Sequence, residues 1–169
     1  DFSQSSKIVE SIAAAFAEKD PAGAPRYRAN AAAYQSRLSS LDQKFQSALA
    51  RCRHRALIVG GHSAFAYLAN RYGLRQIPLY GLSPNAEPTP RKLAEVVDSA
   101  RSLRVKYIFF EELVNPKLAR VLAREAGVQT LVLSPGANRT REEVRQGVSF
   151  LSLMERNLEH LRKGLECEP

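Results

Sequence analysis

The sequence predicts an α/β domain, a four-stranded parallel sheet flanked by helices, preceded by a long helix of the kind that joins two domains. Two helical patterns come first in the chain, before any strand pattern. From Ala56 onwards, short apolar runs alternate with helical patterns. Strand and helix in alternation at this spacing are typical of a parallel sheet covered by helices.

The helices at the start of the chain are predicted from their apolar spacing. Ile8, Ile12 and Phe16 share one helical face, and the segment 20–23 (Asp-Pro-Ala-Gly) interrupts the pattern. Apolar residues then recur at intervals of three, four and seven, which predicts one amphipathic helix from about 25 to 52. We therefore expect a helical segment at 1–52 and an α/β domain at 53–169.

The second part of the chain contains four strand patterns and four helix patterns. Glycines suited to ending a helix lie before two of the strands, and Pro78 predicts that the second strand lies at an edge or ends early. The predicted strands are Ala56–Val59, Gln76–Tyr80, Val105–Phe110 and Gln129–Leu133. The predicted helices are Ser63–Tyr72, Pro90–Leu103, Pro116–Ala126 and Arg141–Leu165.

Polar side chains follow the predicted strands, where parallel strands end at a common edge. His62 follows the first strand, Glu111 and Glu112 follow the third, and Ser134 follows the fourth. Open α/β sheets bind ligands at this edge, and neutral imidazole is the commonest metal ligand in proteins. The pattern predicts a partial metal site or a partial catalytic triad. His54, among arginines, is predicted to lie on a solvated face, and His160 has no second histidine one turn away; neither is predicted to take part in the site.

Composition limits the classes of function. The formal net charge is +8 and 44% of the residues are hydrophobic, as in an ordinary globular protein. Such a charge suggests a nucleic-acid or an anionic-membrane partner. The basic residues are scattered, which argues against both, and no aromatic residues lie between them to stack on bases. No apolar run is long enough to span a membrane. Because the chain begins at Asp1, we expect a mature protein or a fragment.

Two cysteines lie far apart in the sequence. Cys52 ends the predicted long helix and Cys167 ends the last one. Both could reach the same edge of the domain, so a disulfide and a pair of unpaired thiols both remain open.

Five segments, in order, resemble the carboxyl-terminal domain of the periplasmic zinc- and manganese-binding proteins of bacterial ABC importers (the cluster A-I, zinc-uptake type). Residues 61–74, GHSAFAYLANRYGL, resemble HDAFxYFxxxYGL, and residues 82–91, LSPNAEPTPR, resemble SPxAEPSPRxL. Residues 109–118, FFEELVNPKL, resemble FxEPQxSPKL, and residues 152–158, SLMERNL, resemble YLxLMRxNL. Residues 27–34 are similar to part of the family's interdomain helix.

The resemblance implies a periplasmic solute-binding protein, not an enzyme, whose full-length precursor carries a signal peptide. His62 matches the ligand that the carboxyl-terminal domain supplies, and Glu111 matches a carboxylate near the cleft, in the second shell or as a substitute ligand. Ser134 stands where many members have aspartate, and a hydroxyl is a poor zinc ligand. Zinc is favoured over manganese because manganese prefers more carboxylate oxygens.

The resemblance also implies partners. The family's amino-terminal domain, with its histidine ligands, is absent from this sequence, so we expect the chain to bind metal weakly by itself. The expected partners are a divalent metal ion, the missing domain and a membrane permease, and the uncovered face could cause self-association. Two alternatives are an α/β enzyme with His62 as general base oriented by Glu111, and a basic nucleic-acid binder.

Overall fold

The computed structural model describes residues 1–83, 88–111 and 116–168. Its contacts divide the chain into two compact units, Asp1–Ser47 and Ala48–Pro169. The division falls inside the long helix that precedes the sheet.

The first unit is a pair of helices joined by a tight turn. Helix α1 spans Phe2–Lys19 and α2 spans Ala24–Leu49, with α2 ending in the second unit. The Asp20 carboxylate accepts a hydrogen bond from the Gly23 N–H at 3.1 Å, which closes the turn between the helices. The Phe2 and Phe45 rings meet edge to face with centroids 5.2 Å apart. The predicted apolar face of α1 is largely exposed at Ile8, Ile12 and Phe16.

The second unit contains a parallel sheet of β1 (Ala56–Val59), β2 (Arg75–Pro78), β3 (Tyr107–Glu111) and β4 (Gln129–Leu133), in the order β2-β1-β3-β4. The predicted bounds of β1 and β4 match the structure, while β2 and β3 are displaced by a residue or two. Strand β2 lies at the edge of the sheet and ends at Pro78. The proline predicts an edge position or an early end, and both are observed. The elements are β1 Ala56–Val59, α3 Ala66–Arg71, β2 Arg75–Pro78, α4 Pro90–Ser102, β3 Tyr107–Glu111, α5 Pro116–Ala126, β4 Gln129–Leu133, α6 Arg141–Arg145 and α7 Phe150–Gly164.

Helices cover both faces of this sheet because neighbouring strand residues point to opposite sides. On one side, Ile58 and Ile108 are buried in a cluster with residues of α4 and α5. On the other side, Phe109 lies under α7, where a Cβ added at Gly164 would come within 2.2 Å of the Phe109 ring. These two apolar layers hold the sheet in place. They therefore also determine the position of the edge at which the strands end.

The prediction of one helix over Arg141–Leu165 is wrong. The chain forms α6 and α7 instead, because Gly147 has a φ of +70° and the Ser149 side chain caps the next helix by accepting from the Ser152 N–H. In the sequence, an apolar stripe runs from Val144 to Leu165, but Val144 is 55% exposed. A left-handed residue cannot continue an α-helix, so the stripe is divided between two helices.

The carboxyl-terminal tail is tied to the segment before β1. Cys52 and Cys167 form a disulfide, and their backbones form an isolated antiparallel bridge. The His54 N–H donates to the Leu165 carbonyl at 3.1 Å. His54 was predicted to lie on a solvated face, and this is wrong: it is buried, with Nε2 4.0 Å from a Glu166 carboxylate oxygen. The tail covers a histidine whose sequence neighbours are all polar.

Candidate functional site: a histidine–carboxylate pair at the carboxyl edge of the sheet

His62 is positioned by the two glycines that follow β1. The Gly60 N–H donates to the Phe109 carbonyl at 2.7 Å, and the Gly61 carbonyl accepts from the Leu79 N–H at 3.0 Å. A side chain at Gly60 would meet Ala119, with atoms 3.5 Å from the added Cβ. The backbone therefore stays hydrogen-bonded to the neighbouring segments of the sheet for two residues beyond β1. His62 follows at the edge of the sheet where it was predicted.

The imidazole of His62 contacts the carboxylate of Glu111. His62 Nδ1 and Glu111 Oε1 are 2.6 Å apart, and their side chains are 17% and 8% exposed. Both atoms are buried, and neither makes a hydrogen bond to another group of the described residues. A Cβ at Gly61 would lie 3.5 Å from the same carboxylate oxygen. A basic nitrogen and a carboxylate oxygen thus share one small, partly closed space.

Burial sets the electrostatics of this pair. Burial raises the pKa of the Glu111 carboxyl, and the nearby His62 opposes that shift. Burial also raises the pKa of Tyr80, with the charge of Glu111 as a smaller cause. A desolvated carboxylate favours a cationic or proton-donating neighbour, and an imidazole in contact with it is held in one orientation. Such a pair can hold a metal ion or act as a general base.

Ser134 follows β4 at the same edge, but its polar groups have other partners. Its hydroxyl accepts a hydrogen bond from the Gly136 N–H at 3.2 Å. The Asn157 side chain bonds both backbone groups of Ser134, accepting from its N–H at 2.8 Å and donating to its carbonyl at 2.6 Å. Asn157 is buried and was not singled out as a site residue from the sequence. The sequence feature that could have identified Asn157 is its amide side chain, which lies next to the apolar positions of the last helix.

Other polar residues named from the sequence lie near different groups. Ser63 is adjacent to His62 in the sequence, but its hydroxyl lies 3.4 Å from Gln76 Oε1. His160 Nδ1 is 2.6 Å from the Val132 carbonyl, a structural contact. Glu112 lies outside the described residues, as do parts of the second and third matched segments. In the described part of the chain, no three His, Cys, Asp or Glu side chains converge as a metal site would require.

Solved structures share this fold. The Zn(II)-bound ZnuA-like domain of Streptococcus pneumoniae AdcA is 36% identical, with a TM-score of 0.81 over 98% of this chain and 61% of that one. The metal-dependent lipoprotein YcdH of Bacillus subtilis is 34% identical, with a TM-score of 0.83 over 98% of this chain and 62% of that one. The chain therefore has the ZnuA-like α/β fold.

The sequence comparison defines the family. The model of the zinc-uptake complex component A, periplasmic, matches residues 1–164, and the chain belongs to this family. It is 38% identical over 162 residues to the zinc-binding lipoprotein AdcA of Streptococcus pneumoniae, covering 96% of this chain and 32% of that protein. It is 35% identical over 159 residues to the high-affinity zinc uptake system protein ZnuA of Bacillus subtilis, covering 94% of this chain and 50% of that protein.

The chain thus spans between about a third and a half of the length of these two curated relatives. None of the described helices combines the length and the apolar character needed to cross a membrane.

Proposed function

We propose that this chain is the carboxyl-terminal part of an extracytoplasmic zinc-binding protein that delivers zinc to the permease of an ABC importer. Membership in the zinc-uptake family supports this, as do the names of its relatives, which are zinc-binding and zinc-uptake proteins. The disulfide supports an extracytoplasmic location, because such bonds persist in oxidising compartments. The protein binds and releases its substrate, zinc, and does not catalyse a reaction.

The observation that carries the proposal is the contact between His62 and Glu111. With Nδ1 against the carboxylate, the ring offers its Nε2 to the ion. Carboxylates that hold the second nitrogen of a ligating imidazole fix its orientation and raise its basicity. Imidazole suits zinc, whereas manganese prefers an oxygen-rich site, so zinc is the substrate that this pair fits best.

Ser134 has a different role in this proposal. Its hydroxyl accepts from the Gly136 N–H, and hydroxyls are poor zinc ligands. We therefore assign Ser134 to the turn after β4 and the remaining ligands to the part of the protein outside these residues. A zinc ion held by one imidazole is far from the four ligands of a stable site, so this chain binds zinc weakly by itself.

The test is a zinc titration by calorimetry of the complete protein that contains this chain. His62→Ala lowers the affinity by more than the roughly 10–100-fold that follows loss of an outer-shell partner. His160→Ala is the matched control, because that half-buried histidine contacts the Val132 carbonyl and not the Glu111 carboxylate. Equal affinities for wild type and His62→Ala would contradict the proposal.

A second variant tests the role of Glu111. Glu111→Gln keeps the shape of the side chain and removes its charge, so the affinity for zinc falls by about 10–100-fold. Glu95→Gln, at an exposed position on α4, is the control and leaves the affinity unchanged. A complete protein that bound no divalent metal would instead favour the enzyme, with His62 as general base and Glu111 as its orienter.

A further inference from the structure

Basic side chains that are scattered along the sequence meet at the amino edge of the sheet, the end of the second unit opposite to His62. The four strands are parallel, so their starting residues lie at one edge. Arg55 precedes β1, Arg75 begins β2 and Lys106 precedes β3. Each is exposed. Three neighbouring strands thus bring a cation to the same edge.

The helices that run back to this edge add further cations at their ends. The Arg55 guanidinium donates to the Leu49 carbonyl at the end of α2, at 2.6 Å, and to the Gly73 carbonyl beyond α3, at 3.0 Å. Arg101 at the end of α4 donates to the Glu125 carbonyl in the last turn of α5, at 2.5 Å. Lys163 at the end of α7 lies 5.4 Å from the centre of the Tyr107 ring. These contacts join the end of α2 to the segment after α3, the end of α4 to the end of α5, and the end of α7 to the start of β3.

We define the basic end by its charged side chains. They lie in the last turn of α2, α3, α4, α5 and α7 and in the connection that follows each of these helices, and the first residue of β2 is included. It has eleven basic side chains against three carboxylates, an excess equal to the formal net charge of +8 of the entire chain. The carboxylates are Glu125, Glu166 and Glu168. The basic side chains are Arg51, Arg53, Arg55, Arg71, Arg75, Arg101, Arg104, Lys106, Arg124, Arg162 and Lys163.

The carboxylates neutralise only a small part of this charge. Glu166 pairs with Arg53 and with Lys106, both at 2.9 Å, and Lys106 and Arg53 lower the pKa of its carboxyl, so it is ionised at neutral pH. Glu168 lies 3.4 Å from Arg51. Arg75, Arg104 and Arg162 are exposed and lie outside these pairs.

The chemistry of the basic end indicates the kind of surface that it fits. The exposed large hydrophobic side chains of the described residues lie elsewhere: Ile8, Ile12, Phe16, Tyr67, Leu82, Val121 and Val144. Protein interfaces are built around apolar and aromatic cores, which this end lacks among the residues described. A lipid surface with anionic headgroups requires only clustered positive charge, and the arginine fork matches phosphate oxygens.

We propose that the basic end binds an anionic phospholipid surface. The attraction is electrostatic, so it weakens as salt screens it beyond a Debye length of about 10 Å at 0.1 M. Bound in this way, the second unit leaves its carboxyl edge, with His62, uncovered by the lipid. The surface is separate from the zinc site and needs none of its residues.

The test is co-sedimentation of the full chain with lipid vesicles at low salt. We expect binding to vesicles of phosphatidylglycerol and phosphatidylcholine in equal amounts, little binding to phosphatidylcholine alone, and release at high salt. The variant Arg75→Glu/Arg104→Glu/Arg162→Glu weakens binding by at least about tenfold, because each cation near an anionic surface contributes severalfold. Circular dichroism of each variant checks that it is folded.

The matched control is Arg37→Glu/Arg120→Glu/Arg141→Glu, which makes the same change in net charge at exposed positions outside the basic end. It retains most of the binding. Equal losses in the two triple variants would overturn the proposal, because total charge and not the basic end would then decide binding. Absence of binding to the anionic vesicles would also overturn it.

Discussion

At the residue scale, the edge that carries His62 is held by polar groups whose partners are distant in the sequence. Glu111 contacts His62 across 49 positions of the chain, and Asn157 bonds the backbone of Ser134. Asn157 supplies an acceptor and a donor from one amide, which matches the N–H and the carbonyl of one residue. The Ser134 turn is therefore fixed by α7 as well as by β4.

Replacement of Asn157 tests whether its side chain holds the Ser134 turn in place. Asn157→Ala leaves the buried N–H and carbonyl of Ser134 without their partner and opens a small cavity, so it lowers the free energy of unfolding by about 2–4 kcal/mol. Urea unfolding followed by circular dichroism measures the loss. Asn138→Ala, at an exposed loop position, is the control and stays within about 0.5 kcal/mol of wild type. Similar losses in both variants would show that the amide does not hold the turn.

At the scale of elements, the strands were predictable and the last helix was not. Short apolar runs such as Ala56–Val59 are fully buried, so their composition alone identifies them. The predicted helix over 141–165 failed because Val144 and Val148 continue the apolar spacing across a glycine that adopts a left-handed conformation. The apolar spacing shows only which residues are apolar. The break between α6 and α7 depends on the backbone geometry and on the Ser149 cap.

The break between α6 and α7 can be tested at Gly147. An added Cβ meets no atom within 4 Å, so only the backbone conformation opposes a side chain there. Gly147→Ala is therefore expected to lower the free energy of unfolding by about 1–2 kcal/mol. Gly81→Ala is the control, since that site is equally open but its φ lies outside the left-handed region. Thermal unfolding compares the two, and an unchanged midpoint for Gly147→Ala would contradict the assigned role.

At the scale of the whole molecule, the topology predicts which residues share an edge but not which side chains cover one another. The parallel sheet predicted that His62 and Glu111 would lie close together, as they do. The burial of His54 by the tail could not be predicted, because the contact joins residues more than a hundred positions apart. The basic end was missed for the same reason: the arginines are scattered in sequence and meet only in the folded sheet.

The disulfide is the longest covalent constraint described in the molecule, and its removal tests how the tail stabilises the fold. Cys52 and Cys167 are separated by 115 positions, so their bond greatly restricts the unfolded chain. The chain-entropy model predicts that reduction lowers the free energy of unfolding by about 4–5 kcal/mol. Urea unfolding with and without a dithiol reductant measures this difference. The variant Cys52→Ala/Cys167→Ala should match the reduced wild type and be insensitive to the reductant. A wild-type protein that unfolds at the same urea concentration in both conditions would show that the tail is held by its backbone and ionic contacts alone.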